Sequence, residues 1–435
     1  RASPGIGVTL PPRDTDSIAM TRIPLPGVLL PAAVTTLALA ALAALPVAGA
    51  SPSTVPLRTA SVLPVQTHQT HETAAADTAR TAKPAEPAAT TTSDLEERLQ
   101  RLYYAGELKR GVAVADSALR ALDRSGGTSG QVSDRAGDQA SDQAGATASA
   151  GGESERNAAL AARVRLLVLR GRLAATDAFV SSRPLDDALA MLTEAARAAE
   201  SLPGSPELVD ALVELGFAEY VRAFFIGGDF RPIRPRFDRA LRIAHDLNDA
   251  ERIARALFHV GLIHERLGET DAAVRHHLEA LAISDACGCR LVQSYAQRHV
   301  GFALLEQDDP RAALRHFRRS LELRREVGFT VYLPYSLGAV ADVLLELGET
   351  REAEPYAECA VELAATLDAP RTRAVTGLTL AEVRLAAGDR AQARRRFREV
   401  LELSREIGYE TGVRAAGDGL ERAGSGATPD AAGPR

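Results

Sequence analysis

A unit of 40 residues is written four times between about residues 249 and 408, and this period restricts the fold more tightly than anything else in the chain. Its turns align as Gly268-Glu269, Asp308-Asp309, Gly348-Glu349 and Gly388-Asp389. Five residues past the first residue of each turn stands an alanine: Ala273, Ala313, Ala353 and Ala393. Twelve residues before that alanine is another small residue: Gly261, Gly301, Ala341, Ala381. Fifteen residues after it come Gly288, Gly328, Asp368 and Gly408, types that tolerate a positive φ. One period upstream, Gly228 and Asn248 fall in phase. A fixed period with this content predicts stacked helical hairpins, because one hairpin cannot bury its own apolar face.

The spacing inside a unit follows from helix geometry. Helix A carries apolar residues at helical intervals, as in Leu337, Val340, Ala341 and Leu344, and helix B does so in Ala313, Phe317, Ser320 and Leu321. The small residue of helix A marks the crossing, where axes roughly 8–10 Å apart leave no room for a large side chain. The Gly, Asn or Asp after helix B ends it in the left-handed region. Before that cap stand Leu247, Cys287, Val327, Leu367 and Ile407, a column that reads as packing. With 46% hydrophobic and 25% charged residues, several hundred of the 435 residues can pack; abundant Ala and only 4% aromatics favour helix on helix. The net charge of −6 supplies no global basic field for nucleic acid.

These columns resemble the tetratricopeptide repeat. Its pattern appears as Val300-Gly301, Ala313, Phe317 and Ser320, and as Leu380-Ala381, Ala393, Phe397 and Val400. The longer unit is similar to the 40-residue bacterial variant of MalT-like and CHAT-associated proteins. His277 and Ala357 depart from it by replacing the aromatic, Gln297 and Gly377 weaken helix A, and Ile233 stands where Ala is expected. The resemblance is strong over residues 207–408 and weaker over 93–206. It implies an all-α, right-handed α-solenoid that binds a protein or peptide partner and carries no chemistry. Family geometry places a partner groove on helix A. In the central repeats this means Arg255, Phe258 and Leu262, then Tyr295, Arg298 and Phe302. Tyr335 and Asp342 follow, with Arg222 and Phe225 upstream. Aromatics interleaved with Arg are hot-spot types; the same positions also suit plain packing between neighbouring A helices.

Outside the array, residues 1–19 read as an over-extended frame, since the chain opens on Arg1 and Met20 is a plausible start. Residues 20–50 read as a secretory signal: Arg22, an apolar run from Val28 to Leu45, and Ala48-Gly49-Ala50 before Ser51. An uncleaved anchor through 28–45 is the alternative. Residues 51–92 are a disordered spacer rich in Thr, Ala, Pro and Ser. An outlying hairpin is expected over 93–124, a mobile insertion over 125–155, the solenoid over 156–408, and a capping helix with a disordered tail over 409–435.

No catalytic, cofactor or metal set is complete in the sequence. His259 pairs in phase with His299, and His276 with His316, so duplication accounts for them without four convergent ligands. Cys287-Gly288-Cys289 is no zinc knuckle, Cys359 lies far off, and an odd count leaves at least one thiol unpaired within the chain. Arg318-Arg319, Arg324-Arg325 and Arg394-Arg395-Arg396 stand among Glu residues on helix B and read as a solvated convex face. Two functions follow. The first is an exported, non-enzymatic scaffold holding a protein or peptide, with no nucleic acid and no membrane contact beyond the signal segment. The second is the sensory arm of a larger protein, such as a CHAT-type protease or a MalT-like regulator.

Overall fold

The structure is a computed structural model that describes residues 91–129 and 142–425. The expected frame extension, signal segment and most of the spacer lie outside those residues, as do 130–141 and the end of the tail. Among the described residues every regular element is helical. The chain begins with α1 (Thr92–Ala105), α2 (Leu108–Ser129), α3 (Asp142–Ser181) and α4 (Asp186–Ala199). Next come α5 (Pro206–Ile226), α6 (Arg234–Asp246), α7 (Ala250–Arg266), α8 (Thr270–Ala286), α9 (Arg290–Glu306) and α10 (Pro310–Glu326). The series closes with α11 (Leu333–Glu346), α12 (Thr350–Thr366), α13 (Pro370–Ala386), α14 (Arg390–Glu406) and α15 (Glu410–Gly424). Two 3-10 turns, Arg231–Ile233 and Thr330–Tyr332, precede α6 and α11. No described helix is long and apolar enough to cross a membrane.

The turn chemistry explains the regularity. A positive φ recurs every 20 residues, at Asn248, Gly268, Gly288, Asp308, Gly328, Gly348, Asp368, Gly388 and Gly408. Eight of these nine turns, after A and B helices alike, carry the same pair of backbone hydrogen bonds. At the first turn the Glu269 N–H donates to the His264 carbonyl (2.9 Å) and the Gly268 N–H to that of Glu265 (3.2 Å), the Schellman pattern. The next helix is then capped where an Asp allows it. Asp249, Asp309 and Asp389 accept from the backbone N–H of Arg252, Ala312 and Gln392 at 3.0, 2.9 and 3.0 Å. Upstream the phase slips: Gly227, not Gly228, takes the left-handed conformation. There the connection is lengthened by the Arg231–Ile233 turn.

The small-residue column does what its spacing requires. A Cβ on Gly301 would lie 3.1 Å from the Phe317 ring, and one on Gly261 would lie 2.6 Å from the His277 ring. Successive helices pack in pairs, and A helices stack on A helices along α3, α5, α7 and α9 and again along α11, α13 and α15.

The structure corrects three expectations. α3 begins at Asp142, inside the stretch expected as a mobile insertion. Its second half is anchored by Val164, Leu166, Leu167 and Leu173, and extending a formed helix needs no new nucleus. The first hairpin is not outlying. α1 packs on the Thr330–Tyr332 turn and α3 on α13, so the N-terminal helices fold across the face of stacked A helices. Tyr103 lies 5.3 Å from the Phe329 ring, and Lys109 pairs with Asp368 at 2.6 Å. A two-helix unit has no core of its own, so Leu99, Leu102, Tyr103 and Leu108 are buried on this face instead. Finally, Cys287 is not packed. It is exposed at the end of α8 and disulfide-bonded to Cys289 across Gly288, leaving Cys359 free and exposed.

Candidate functional site

The A-helix face is built from alternating ion pairs and aromatic rings. On α5 and α7, Arg255 and Arg252 share Asp210, the latter at 2.6 Å, while Arg172 pairs with Glu214 at 2.8 Å. These carboxylates and guanidiniums are paired with one another, and neighbouring Arg255 and Arg252 hold Asp210 below the usual carboxylate range despite its burial. Arg255 therefore knits repeats together. Phe258 and Leu262 are 5% and 4% exposed and belong to the core rather than to an open groove. Phe258 stacks on Tyr295 at 5.4 Å, and Tyr295 in turn meets Phe329 edge-on at 6.1 Å. Phe225 stacks on Phe179 at 6.0 Å, and Arg222 is exposed at the end of α5.

Three guanidiniums gather around Tyr332 and Tyr335 without any ion pair among the described residues. Arg298 is partly exposed; it donates to the Tyr335 carbonyl at 3.0 Å and lies 4.7 Å over Phe302. Burial, with Arg324 beside it, pulls its pKa down to about 9. It is not the free surface arginine that helix geometry alone suggests. Arg324 is 3% exposed and donates to Ser336 Oγ (2.7 Å) and the Tyr332 carbonyl (3.2 Å). Arg371, 5% exposed, sits over Phe179, Tyr409 and Phe225 at 4.6, 5.0 and 5.2 Å and donates to Tyr335 Oη at 3.4 Å. The Thr372 hydroxyl donates to the same oxygen at 3.1 Å. Asp342, further along α11, is pushed up to about 7 by burial, against the pull of the Thr379 hydroxyl and Arg298.

Arg324 and Arg371 are absent from the groove positions inferred from the sequence. Arg324 falls within a helix-B arginine run, and its neighbours keep the surface role expected of that run: Arg319 pairs with Glu322 at 3.2 Å and Arg395 with Glu399 at 3.0 Å. A signal was present in the columns. Arg324 stands in phase with Ala244, Ser284, Ala364 and Ser404, all buried, so one large cation occupies a column of small core residues.

The phase-matched histidines His259 and His299 differ in their partners. His259 points Nδ1 at the Arg255 carbonyl (2.7 Å), and burial pushes it down to about 4. His299, its duplicate, instead meets Glu265, and with His277 these three bring one ligand atom each within 4.8 Å of one another.

The tetratricopeptide repeat family profile matches residues 256–291 and, in a second form, 293–366. These are tetratricopeptide repeats. A comparison with curated proteins finds no match. Among solved structures, the tetratricopeptide array is similar to a Rap protein complexed with Competence and Sporulation Factor. That protein is 15% identical, with 75% of this chain and 80% of that one covered and a TM-score of 0.50, a likeness of fold. BtubC from P. vanneervenii is 19% identical over 56% of this chain and 91% of its own, with a TM-score of 0.40. A signal transduction ATPase with a tetratricopeptide repeat sensor, from Pyrococcus horikoshii, is 14% identical over 61% and 42%, with a TM-score of 0.42.

Proposed function

We propose that this tetratricopeptide solenoid is a non-enzymatic binding scaffold for an acidic protein or peptide segment, taken up on the A-helix face at Arg298. The observation that carries this reading is the group of Arg298, Arg324 and Arg371. Among the described residues their three guanidiniums have no ion-pair partner, whereas Arg172, Arg252 and Arg255 on the same face are paired with Glu214 and Asp210. Burying a charge without a counter-ion is costly, and a carboxylate from a partner removes that cost while the flanking rings exclude water. Guanidiniums also match carboxylates in fork geometry better than any other side chain. The Rap protein of similar fold was crystallised with Competence and Sporulation Factor, so a helical array of this general shape can hold a partner.

Peptide arrays test the reading. The full chain, with chelator present, should capture peptides containing Asp and Glu over the same peptides carrying Asn and Gln. Arg298→Gln combined with Arg371→Gln should weaken that capture by about tenfold or more, roughly 1.4 kcal/mol. Capture that ignores acidity, or that survives the double substitution, would overturn the proposal. We also place the scaffold outside the cytoplasm, on the Met20–Ala50 signal pattern; N-terminal sequencing of exported protein should read from Ser51.

A further inference from the structure

Where α7, α8 and α9 meet, three polar side chains stand at positions that other repeats fill differently. His277 occupies the column of Phe237, Phe317 and Phe397. Glu265 occupies that of Leu305, Leu345 and Leu385, and His299 stands where later repeats carry Ala339 and Thr379. Duplication explains His299 as a copy of His259, but it explains neither Glu265 nor His277. These departures converge on one point. His299 Nδ1 is 2.7 Å from Glu265 Oε2, and His277 Nε2 is 3.5 Å from the same oxygen. His277 is 1% exposed, and neither of its ring nitrogens has a hydrogen-bond partner among the described residues. A buried imidazole left so is costly where a phenyl ring would be free of that cost. Room for it comes from Gly261, where a Cβ would lie 2.6 Å from the His277 ring. Phe258 closes one side, 5.5 Å from His277 and 5.2 Å from His299. Glu306 stands near enough to Glu265 to add to the local negative field.

We propose that Glu265, His277 and His299 form a site for one divalent transition-metal ion, zinc above all, with a further coordination position open. Two imidazoles and a carboxylate are a donor set that zinc takes with bonds of about 2.0–2.1 Å, and a tetrahedron of that size has edges of about 3.3 Å. The separations of 2.7 and 3.5 Å bracket that edge. The ion supplies the partner that His277 lacks and balances the Glu265 carboxylate. Side chains of Glu265 and His299 retain 16% exposure, which leaves a way in. Bound there, the ion ties α7 to both α8 and α9 and so stiffens the repeats that carry Arg298.

The test uses the full chain, stripped with chelator and desalted, then titrated with zinc by calorimetry and with cobalt by visible absorption. One equivalent should bind, cobalt should give the intense visible bands of a low-coordinate site, and zinc should raise the melting temperature. His277→Phe installs the residue of three other repeats and should fold, while binding about 100-fold more weakly or worse. Glu265→Leu restores the leucine column and should behave alike. His264→Ala with His276→Ala removes the neighbouring stacked pair, 5.1 Å apart, and should bind as the natural protein does. No binding at about 100 μM zinc, or full binding by His277→Phe, would overturn the site. So would loss of binding confined to the His264 and His276 variant. Should both core substitutions prevent folding, the cobalt spectrum of the natural chain decides: bands of low intensity, typical of surface hexaaqua-like cobalt, reject the proposal.

Discussion

At the scale of single residues, the A-helix face behaves as an interior. Arg298 donates to a backbone carbonyl and lies over a ring, so Arg298→Ala should destabilise the chain by about 1–2 kcal/mol in chemical denaturation. A loss within error would mean that this arginine is held no better than a surface one. Asp342 gives a prediction in pH. Its folded pKa is raised to about 7 from an ordinary value near 3.8, chiefly by burial, so folding takes up a proton between those values. Its contribution is complete below about pH 4 and is lost as pH rises toward 7. Asp342→Asn keeps an acceptor for the Thr379 hydroxyl without the charge. It should stabilise the protein at pH 8 by about 2 kcal/mol and change little at pH 4. His259 and His299, pushed down to about 4 by burial, slope the other way between pH 4 and 6.5, so the informative curve is the difference between variant and natural chain. A flat difference curve would show that Asp342 ionises freely.

Among elements, two small features hold each hairpin. Asp309 caps α10 by accepting from Ala312 N–H at 2.9 Å; Asp309→Ala should cost about 1 kcal/mol in thermal or urea unfolding. Gly301 sets the crossing of α9 on α10, where a Cβ would already stand 3.1 Å from the Phe317 ring. Gly301→Leu drives an isobutyl group into that gap and should cost about 2–3 kcal/mol or more. Because α9 also carries Tyr295 and Arg298, acidic-peptide capture should fall with it. Near-normal melting in this variant would mean that the two helices can slide apart at little cost.

For the whole molecule, the decisive feature is the return of α1 and α2 onto repeats far along the chain. Tyr103 and Tyr104 meet Phe329 at 5.3 and 5.5 Å, and Gly106 approaches Leu367 so closely that a Cβ would lie 2.8 Å from it. Phe329→Ala removes a ring that is fully buried between α1 and the A-helix face. Hydrogen exchange in residues 92–124 should accelerate by tenfold or more, with residues 250–286 unchanged. Equal acceleration in both regions would show one cooperative unit, and no change would show that the hairpin is held elsewhere.

The array was legible in the sequence because it is local and repeated. Turn residues every 20 positions, the Gly301 and Ala341 column, and the apolar residues at helical intervals each act within one hairpin, and four copies multiply a weak signal. The family resemblance rested on those same columns. The site was legible only in part. Family geometry pointed to Tyr295, Arg298 and Tyr335, and the fold brings those near one another. It could not separate groove from core at Phe258 and Leu262, because both roles demand the same apolar residue on the same helix face. Arg324 and Arg371 join Arg298 only because α10, the Thr330–Tyr332 turn and α13 converge in space. Glu265, His277 and His299 meet for a like reason, on three successive helices and at columns where later repeats carry other residues. The closure of α1 and α2 was beyond the sequence as well, since an apolar hairpin face specifies that it must be covered and not by what. Periodicity, which each hairpin satisfies within itself, set the repeated architecture from sequence alone. Which unpartnered charges and rings meet was decided by long-range packing, which no local pattern encodes.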